Sequence, residues 1–573
     1  MGTSDAANAS RHGKQNGFSF ENWLLFWLQS ITSRPSLGLT MLNRIESHFS
    51  LRYALGAFLL LIPTLLVMAV ASPSRAQNAD AAQPVLIDGG QIGLPRIEVR
   101  GMTLFNPQET WTYALAHIIQ TEGRATPEQV ARAVELLYRD EGYFLARVHI
   151  VSGGPPGTAI LLVEEGHIQS IEVIGVDERI GQRIASYMKP AVGNGPVRLA
   201  DFERALMLAG DLGGVSVRSE VRFREGNEMG GADLKLHARA VKRRGSIVID
   251  SPPAADSITA TVAEEFYSTL FAGDLLRPIV GGATDFTQNT GGTIGGYYRT
   301  PIGNQGTYTE LYAGGAKYGR DLAGALNNNY QQGFNAIGLV GYPLLRNLDE
   351  FNYLLFENDY GELASWTGQG RDTSDAFRMT MLYSKVGKGG TETKIGGTFS
   401  AGWASSTNSF NSVDPTFWHF RGGFGTGVAL DWLWRGLGFR TETLAQFTDA
   451  SLPSTEKFWL GERERNRGYP IAVVTGDSGF STTFGLHKYF TINQAFVQAI
   501  SPYVFFDIGY ASTNNGPSVG VLPTPVLAST GVGGRLFLDQ QIMLSGWLGV
   551  PLVNNFNGNH YGPAAYVRLT KSW

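Results

Sequence analysis

Residues 502–510 read PYVFFDIGY, a stretch in which successive side chains alternate between two faces. One face carries only apolar and aromatic residues, namely Val504, Phe506, Ile508 and Tyr510. The other face is mixed and carries Phe505, Asp507 and Gly509. A period of two residues is the pattern of a β-strand. The stretch therefore predicts a strand with one apolar face, and it places Asp507 on the opposite side.

The same alternation recurs through the C-terminal part of the chain. It is visible at 428–435 and at 541–550, and from about residue 245 onward such runs are separated by Gly, Asn, Asp and Ser. The Gly-rich segment 291–296 fits a further strand, because glycine relieves crowding between strands. Residues 565–573, AYVRLTKSW, place Ala565, Val567, Leu569 and the terminal Trp573 on one face. Together these runs predict many short antiparallel strands.

Charge is scarce where these strands lie. Of the 573 residues 17 % are charged, against about 25 % in ordinary soluble proteins. Residues 85–240 hold 36 charged side chains in 156 positions, about 23 %, whereas residues 241–573 hold 50 in 333, about 15 %, together with 47 of the 72 glycines. A soluble β-sandwich needs a charged outer face, so the scarcity favours lipid outside and a polar lumen inside.

A sheet that crosses lipid must close on itself, because only a closed barrel pairs every backbone amide. At roughly 20 residues per strand with its connection, residues 241–573 predict about 16 strands. The predicted fold class is therefore an all-β transmembrane barrel of about 16 antiparallel strands, preceded by a soluble N-terminal part.

Several functions are disfavoured. The net charge of −4 gives no support for nucleic-acid binding. The chain has no cysteine, which excludes thiolate zinc sites and cysteine nucleophiles. The segment GDSG at 476–479 resembles the nucleophile loop of trypsin-like proteases, but the nine histidines are scattered and no zinc-helix or phosphate-loop motif occurs. We expect no enzymatic activity, no metal and no cofactor.

The first residues resemble a secretory leader. The apolar run 54–71 follows Arg44 and Arg52, and small residues at 74 and 76 suit a cleavage site. We predict a signal peptide with an extended N-terminal region over 1–76, translated from Met1 or Met41, and a linker over 77–94 that is too short for a plug helix. A single transmembrane anchor is the alternative.

Two segments of similar plan follow, at 95–166 and 167–240. Each has the predicted order strand, helix, helix, strand, strand. In the first segment the elements are 97–101, 107–119, 126–142, 144–151 and 158–164, and in the second they are 171–175, 180–188, 201–212, 215–224 and 232–240. A capping box, TPEQ at 126–129, marks the start of the second helix. The plan indicates tandem α+β modules.

These modules resemble POTRA domains. The resemblance rests on VEEGHI at 163–168, on the strand that ends at Gly175, and on EGY at 141–143. One extra glutamate at the junction, in the pair Glu164 and Glu165, departs slightly from the common form. POTRA 1 would span 95–166 and POTRA 2 would span 167–240. Their open sheet edges could receive an extended client strand; alternatively, the modules are only spacers.

The segment 445–479 resembles the signature of TpsB-type two-partner secretion transporters. It contains AQF at 445–447, LPSTEKF at 452–458, LG at 460–461, RGY at 467–469 and GDSG at 476–479. The resemblance implies an outer-membrane barrel with two POTRA domains that exports one large partner protein. It also implies a loop that folds back into the lumen. There Arg467 would pair with Asp507, in the segment FFDIG at 505–509 that includes Phe505 and Gly509. Glu462 and Asn466 depart from the family pattern.

The residue types suit these implied roles. An arginine can bind a carboxylate through two parallel hydrogen bonds, Gly468 allows a tight turn, and Tyr469 can wedge against lumen aromatics. Three further residues share one strand face and are candidate lumen-lining groups: Arg440, Glu442 and Gln446. The terminal Trp573 resembles the assembly signal of outer-membrane proteins.

The predicted function is export of a large secreted partner protein through the barrel, without ATP, from POTRA domains in the periplasm. The implied further partners are outer-membrane lipid and the barrel assembly machinery. An assembly factor that inserts barrels is the alternative, although the best-known type carries five POTRA modules. A passive porin or receptor is less compatible with the tandem modules.

Overall fold

The computed structural model describes residues 85–87 and 96–573, apart from short gaps. The gaps lie at 122–125, 152–154, 194, 224–229, 252–256, 287–289, 319–329, 366–369, 408–411, 462, 495, 515–525, 554 and 557–558. The predicted signal peptide, the choice of start residue and the predicted absence of a plug helix concern residues outside this part. None of the helices in the described ranges has the length and apolar character needed to cross a membrane.

The first N-terminal module packs two helices on a four-stranded sheet. Its elements are β1 (Val85–Ile87), β2 (Arg96–Arg100), α1 (Pro107–Thr121), α2 (Pro127–Asp140), β3 (Arg147–Val151) and β4 (Thr158–Glu164). The sheet order is β1-β2-β4-β3, with β2 parallel to β4. Strand β1 lies within the stretch predicted as a linker, and it pairs with β2.

Helix α2 shows how local sequence and packing agree. The Thr126 hydroxyl accepts a hydrogen bond from the Gln129 amide, and the Gln129 side chain accepts one from the Thr126 amide. This capping box satisfies amides that the first helical turn leaves unpaired. The helix then buries Val130, Val134 and Tyr138 in the core of the module.

The second module has the same element order with a three-stranded sheet. Its elements are β5 (His167–Ile174), α3 (Glu178–Met188), α4 (Leu199–Gly210), β6 (Val215–Phe223) and β7 (Gly231–Ala240). The order is β5-β7-β6, with β5 parallel to β7. Since β5 and β6 each pair on one side only among the described strands, both are edges of this sheet.

Glu165, one of the two glutamates at the junction, fixes the end of the first module. Its carboxylate accepts hydrogen bonds from the amides of Thr103 and Leu104, at 2.6 and 2.8 Å, and from the Tyr138 hydroxyl at 2.8 Å. Burial and the adjacent carboxylate raise the pKa of Tyr138, so its hydroxyl stays protonated and donates. Glu165 therefore caps the end of the first module.

The two modules contact each other directly. The Leu199 amide donates to the Gly142 carbonyl over 2.7 Å. The Arg147 guanidinium lies 3.2 Å from the centroid of the Phe223 ring. Because these contacts join Gly142 and the start of β3 to α4 and β6, they restrict rotation of one module against the other.

Residues 243–572 form a closed antiparallel barrel of 16 strands. The strands are β8 (Arg243–Asp250), β9 (Ile258–Tyr267), β10 (Leu275–Thr284), β11 (Thr290–Ile302), β12 (Thr307–Tyr318), β13 (Tyr330–Arg346), β14 (Glu350–Ser365), β15 (Arg371–Val386), β16 (Glu392–Ser406), β17 (Thr416–Ala429), β18 (Leu437–Phe447), β21 (Ser478–Lys488), β23 (Val497–Ser512), β24 (Val526–Leu538), β25 (Ile542–Pro551) and β28 (Ala564–Ser572). Short pieces complete the sheets: β19 (Phe458–Leu460), β20 (Val474–Gly476), β22 (Phe490–Thr491), β26 (Asn555–Phe556) and β27 (Asn559–His560). The barrel closes where β28 pairs with β8, from Arg568 opposite Asp250 to Ser572 opposite Ser246.

The predicted alternation decides which side chains face outward. On β23 Val504 is 50 % exposed, whereas Asp507 is fully buried in the interior. On β25 Leu548 is 49 % exposed and Trp547 only 6 %. These faces confirm the sequence prediction, and the Gly-rich segment 291–296 lies in β11 as expected.

The predicted strand at 428–435 is wrong. Strand β17 ends at Ala429, and the following residues turn back to β18 at Leu437. The amides of Leu433 and Trp434 donate to the Leu430 carbonyl, and the Asp431 carboxylate accepts from the Gly436 amide. These local hydrogen bonds close a compact turn, which an alternating sequence of this length does not reveal.

Residues 448–477, which join β18 to β21, enter the barrel. We call them the lumen loop. Within it, β19 and β20 form a small hairpin. The segment before the hairpin, 452–456, is the stem, and the segment between its strands, 463–469, is the tip. The loop is long, and its buried side chains contact several strands that are far apart around the wall.

Candidate functional site in the barrel lumen

Arg467 and Asp507 form a buried bidentate ion pair. Arg467 Nε and Nη2 donate to Asp507 Oδ2 and Oδ1 over 2.8 and 2.7 Å. The Arg467 backbone amide also donates to Oδ2, at 2.9 Å. The carboxylate is fully buried and the arginine is 7 % exposed. Parallel hydrogen bonds of this kind fix geometry as well as charge, so the pair holds the tip of the lumen loop against β23.

Two aromatic rings lie next to the Arg467 guanidinium. The Arg467 guanidinium carbon is 3.6 Å from the ring centroid of Phe505 and 5.9 Å from that of Tyr503. A cation over an aromatic face gains about 0.5–2 kcal/mol. Phe505, on the strand that carries Asp507, therefore supports the same ion pair.

Gly468 permits a close approach between the loop and the wall. Its φ is 91°, a region that residues with a side chain rarely adopt. A Cβ at this position would lie 3.1 Å from the carbonyl carbon of Gly549 on β25. Conversely, a Cβ at position 549 would lie 3.0 Å from the Gly468 Cα. The two backbones touch, and both positions require glycine.

Asn466 and Gly509 form a second close contact. Asn466 has a φ of 49°, which asparagine tolerates better than a β-branched residue. Its side-chain oxygen accepts from the Ser481 hydroxyl at 2.9 Å. A Cβ on Gly509 would come within 2.8 Å of that oxygen. The departure from the family pattern at Asn466 thus has a local structural reason, whereas Glu462 lies outside the described residues.

Tyr469 is completely buried beside the ion pair. Its hydroxyl lies 2.7 and 2.8 Å from the carbonyl oxygens of Ala528 and Val553, and it donates to that pair. Its ring packs edge-on to Tyr561 with 6.0 Å between centroids. Tyr469 therefore ties the tip to β24 and to the segment after β25.

The three candidate lumen-lining residues have different surroundings. Arg440 and Glu442 pair with each other at 3.3 Å and border a cavity of about 520 Å³ beside the loop tip. Gln446 instead binds the loop: its amide nitrogen donates to the carbonyls of Glu456 and Asp477, at 3.0 and 2.9 Å. Its oxygen accepts from Arg421 Nε at 2.9 Å. Gln446 thus holds both ends of the lumen loop.

A second ionic anchor, which the sequence analysis missed, holds the stem. Arg378 on β15 donates through Nη2 to Glu456 Oε1 at 3.0 Å and to Asp359 Oδ2 at 2.7 Å. Glu357 lies 3.2 Å from Arg378 Nε. His419 Nε2 lies 3.0 Å from Glu456 Oε2. Glu456 and Arg378 are 2 % and 6 % exposed. We call these five residues the stem cluster.

The sequence alone does not predict that the residues of the stem cluster meet. Glu456 lies in the segment LPSTEKF, but its partner Arg378 is 78 residues earlier, and Asp359 lies on yet another strand. Alternation predicts that Arg378 and Asp359 share the lumen side. It does not predict the register that brings them to one point.

Asp477 closes the base of the loop. Its carboxylate accepts from the amides of Leu452 and Asn514, at 2.9 and 2.8 Å. The segment GDSG therefore has a structural role at the loop's return to the wall. Trp573 lies at the end of β28, where its backbone exchanges two hydrogen bonds with Gly245, and its ring is half exposed.

The geometry has one direct consequence for the lumen. Counted around the wall from β8, the stem contacts the seventh, eighth and tenth strands, and the tip contacts the twelfth to fifteenth. The lumen loop therefore crosses the interior and obstructs it.

Known proteins share this architecture. A family model described as haemolysin secretion/activation protein ShlB/FhaC/HecB matches residues 369–536. No curated protein matches the sequence significantly. Among solved structures, CdiB from Escherichia coli is 16 % identical with a TM-score of 0.65, and CdiB from Acinetobacter baumannii is 12 % identical with a TM-score of 0.59. Each alignment covers 91 % of this chain and 98 % of the solved one.

BamA from Haemophilus ducreyi lacking POTRA domains 1-3 is 14 % identical, with a TM-score of 0.50 over 84 % of this chain and all of the solved one. At such identities the likenesses show the fold. The family match spans β15 to β24 and includes Glu456, Arg467 and Asp507. Residues 369–536 of the chain therefore match the haemolysin secretion/activation family, and the chain has the fold of the CdiB structures.

Proposed function

We propose that this outer-membrane transporter binds one large exoprotein through its two N-terminal modules in the periplasm and passes it, extended, through the barrel. The family match over residues 369–536 supports transport of a partner protein. The observation that carries the mechanism is the lumen loop, which is bound at both walls and must move before a polypeptide can pass.

The sheet edges of the modules suit an unfolded client. Strand β6 pairs only with β7 among the described strands, which leaves backbone groups available along its other side. An extended segment can add there as a further strand, and main-chain hydrogen bonds then supply affinity with little demand on sequence. Such binding keeps the client extended, as passage through a barrel requires.

Movement of the loop is proposed to begin at its tip. The Arg467–Asp507 pair adjoins the water-accessible cavity of about 520 Å³, so water can solvate both charges once they separate. The stem cluster is different, because release of Glu456 would break its buried hydrogen bonds with Arg378, His419 and Ser374 together. The tip therefore swings while the stem stays attached, and folding of the client outside the cell supplies direction.

Export is the direct test. The partner should be a large secreted protein encoded by the neighbouring reading frame, so that protein is expressed with the transporter and measured in the medium. Removing residues 95–240 should abolish export while purified barrels still conduct ions. Normal export without both modules would contradict client recognition by them, and loss of conductance as well would show that the deletion damages the barrel.

The proposed signal peptide over 1–76 has its own test. N-terminal sequencing of the mature protein should begin close to residue 77. A mature chain that retains the apolar run 54–71 would instead support the single membrane anchor.

A further inference from the structure

Asp250 is a buried carboxylate at the seam where the barrel closes. It lies at the end of β8, directly opposite Arg568 on β28, and it is 4 % exposed. The ladder between these two strands has five residue pairs, whereas each of them forms eight pairs with its other neighbour. The seam is therefore the shorter ladder for both strands, and Asp250 lies in its last pair.

Four side chains donate hydrogen bonds to this carboxylate, and they come from three parts of the barrel. Oδ1 accepts from Arg463 Nη2, in the tip of the lumen loop, over 3.3 Å, and from the Thr259 hydroxyl of β9. Oδ2 accepts from Arg568 Nη2 over 3.3 Å and from the Tyr566 hydroxyl over 3.1 Å, both on β28. Each oxygen thus binds one guanidinium and one hydroxyl.

Arg463 reaches across the seam. Its side chain binds Asp250 on β8, while its carbonyl oxygen accepts from the Trp547 indole on β25 over 2.8 Å. Strand β28 lies between β25 and β8 in the barrel order. The tip is therefore attached on both sides of the closing strand, in addition to its attachment through Arg467. Movement of the tip must break these contacts at the seam as well.

The two carboxylates that hold the tip differ in what they keep after it leaves. The hydrogen bonds described for Asp507 come from the amide, Nε and Nη2 of Arg467. Asp250 would lose Arg463 but would keep the Arg568 guanidinium and both hydroxyls. A buried carboxylate without a cation is strongly unfavourable. Release of the tip therefore leaves Asp507 to be solvated by water, whereas the charge at the seam stays paired.

We propose that Asp250 is an exchange site, at which Arg568 neutralises the carboxylate permanently while Arg463 of the tip binds and leaves. Arg568 is then a positioning residue. It keeps Asp250 neutralised when the tip moves, so the closing strands stay paired while the loop clears the lumen. The proposal rests on the loop movement proposed above, and it adds how the barrel remains closed during that movement.

Hydrogen exchange on the full chain in phospholipid vesicles tests the proposal, because it reports on the tip and on the seam in one measurement. The tip is followed in a peptide that contains residues 463–469, and the seam in one that contains residues 565–573. Arg568→Gln leaves Arg463 to neutralise the buried carboxylate, so tip exchange should slow several-fold and export should fall. Arg568→Lys, which keeps a positive charge, is the matched control and should exchange like the parent chain.

The double variant Asp250→Asn, Arg568→Gln removes the carboxylate charge as well. It should return tip exchange and export to the level of the parent chain. If Arg568 merely supported the seam, the double variant would be the more damaged one, and Arg568→Gln would exchange faster in the seam peptide. That result, or unchanged tip exchange in Arg568→Gln, would overturn the proposal.

Arg463→Gln is the second variant, for use if Arg568→Gln does not assemble. It should accelerate exchange in the tip peptide and leave the seam peptide unchanged, because Arg568 still neutralises Asp250. Faster exchange in the seam peptide of Arg463→Gln would equally overturn the proposal. Slower tip exchange in Arg568→Gln together with normal export would support the exchange site and would contradict the proposed gating of export by the loop.

Discussion

Gly361 on β14 and Thr455 in the stem of the lumen loop pack so closely that a Cβ at position 361 would lie 3.4 Å from the Thr455 Cβ. Disulfides join residues whose Cβ atoms are about 3.5–4.5 Å apart. Next to this contact, the Ser374 hydroxyl donates to Glu456 Oε1 at 2.9 Å. A disulfide between positions 361 and 455 could therefore fix the stem to the wall, and a reductant could release it.

We expect the double variant Gly361→Cys, Thr455→Cys to form a disulfide and still export its partner protein. The reason is that the stem stays in place while the tip moves. Export is measured with and without reductant, and formation of the disulfide is followed by thiol labelling. Export that stops when the disulfide forms and returns on reduction would show that the whole loop must leave the wall. Each single cysteine variant serves as the control.

Replacing Arg467 with alanine should reduce export at least about tenfold, the effect of about 1.4 kcal/mol. The variant leaves Asp507 buried without its cation and frees the tip. Arg467→Lys should have an intermediate effect, because lysine keeps the charge but not the two parallel hydrogen bonds. Export and single-channel conductance are measured together.

The matched control for this variant is Arg535→Ala, which removes another arginine that borders the same cavity. It should export nearly normally. Equal losses in the two variants would indicate a general effect of lumen charge, and normal export by Arg467→Ala would refute the role of the tip pair.

In the stem cluster, Arg378→Gln should destabilise the barrel more than Glu456→Gln does. The first change leaves three carboxylates, those of Glu357, Asp359 and Glu456, without their cation, at a cost of about 3–5 kcal/mol. The second leaves Arg378 with two partners and should cost about 1–3 kcal/mol. Thermal unfolding is followed by the difference in gel mobility between the folded and the unfolded barrel. It shows which of the two variants is less stable.

A surface pair provides the reference. Lys385 and Glu350 are 3.3 Å apart with the lysine half exposed, so Lys385→Gln should cost no more than about 1 kcal/mol. If Glu456→Gln destabilised the barrel more than Arg378→Gln, the assignment of Arg378 as the central charge would be wrong.

Glu165→Ala should destabilise the first N-terminal module by about 2–4 kcal/mol, because its carboxylate accepts hydrogen bonds from two backbone amides and from the hydroxyls of Thr103 and Tyr138. Hydrogen exchange at Thr103 and Leu104 should accelerate. Glu164→Ala, which removes only a longer contact to His149 at 3.5 Å, should leave both amides protected. Unchanged exchange in Glu165→Ala would contradict the capping role.

Local patterns in the sequence determined much of this protein. Alternation along β23 predicted the side on which Asp507 lies, and TPEQ at 126–129 predicted the start of α2. The partnership of Arg467 with Asp507 came from the family motif and not from alternation alone. These features were predictable because each depends on side-chain periodicity, on hydrogen bonds within one turn, or on a recognisable motif.

Only the tertiary structure decided the rest. Closure of the barrel brings β14, β15 and β17 into the register that assembles Arg378, Asp359 and His419 around Glu456. The alternating residues after Ala429 form a turn because Leu430 and Asp431 accept local hydrogen bonds. Periodicity defines the face of a strand, but contacts between distant strands depend on register and on the path of the loop. The sequence therefore determined which side chains face the lumen, and the fold decided which of them meet.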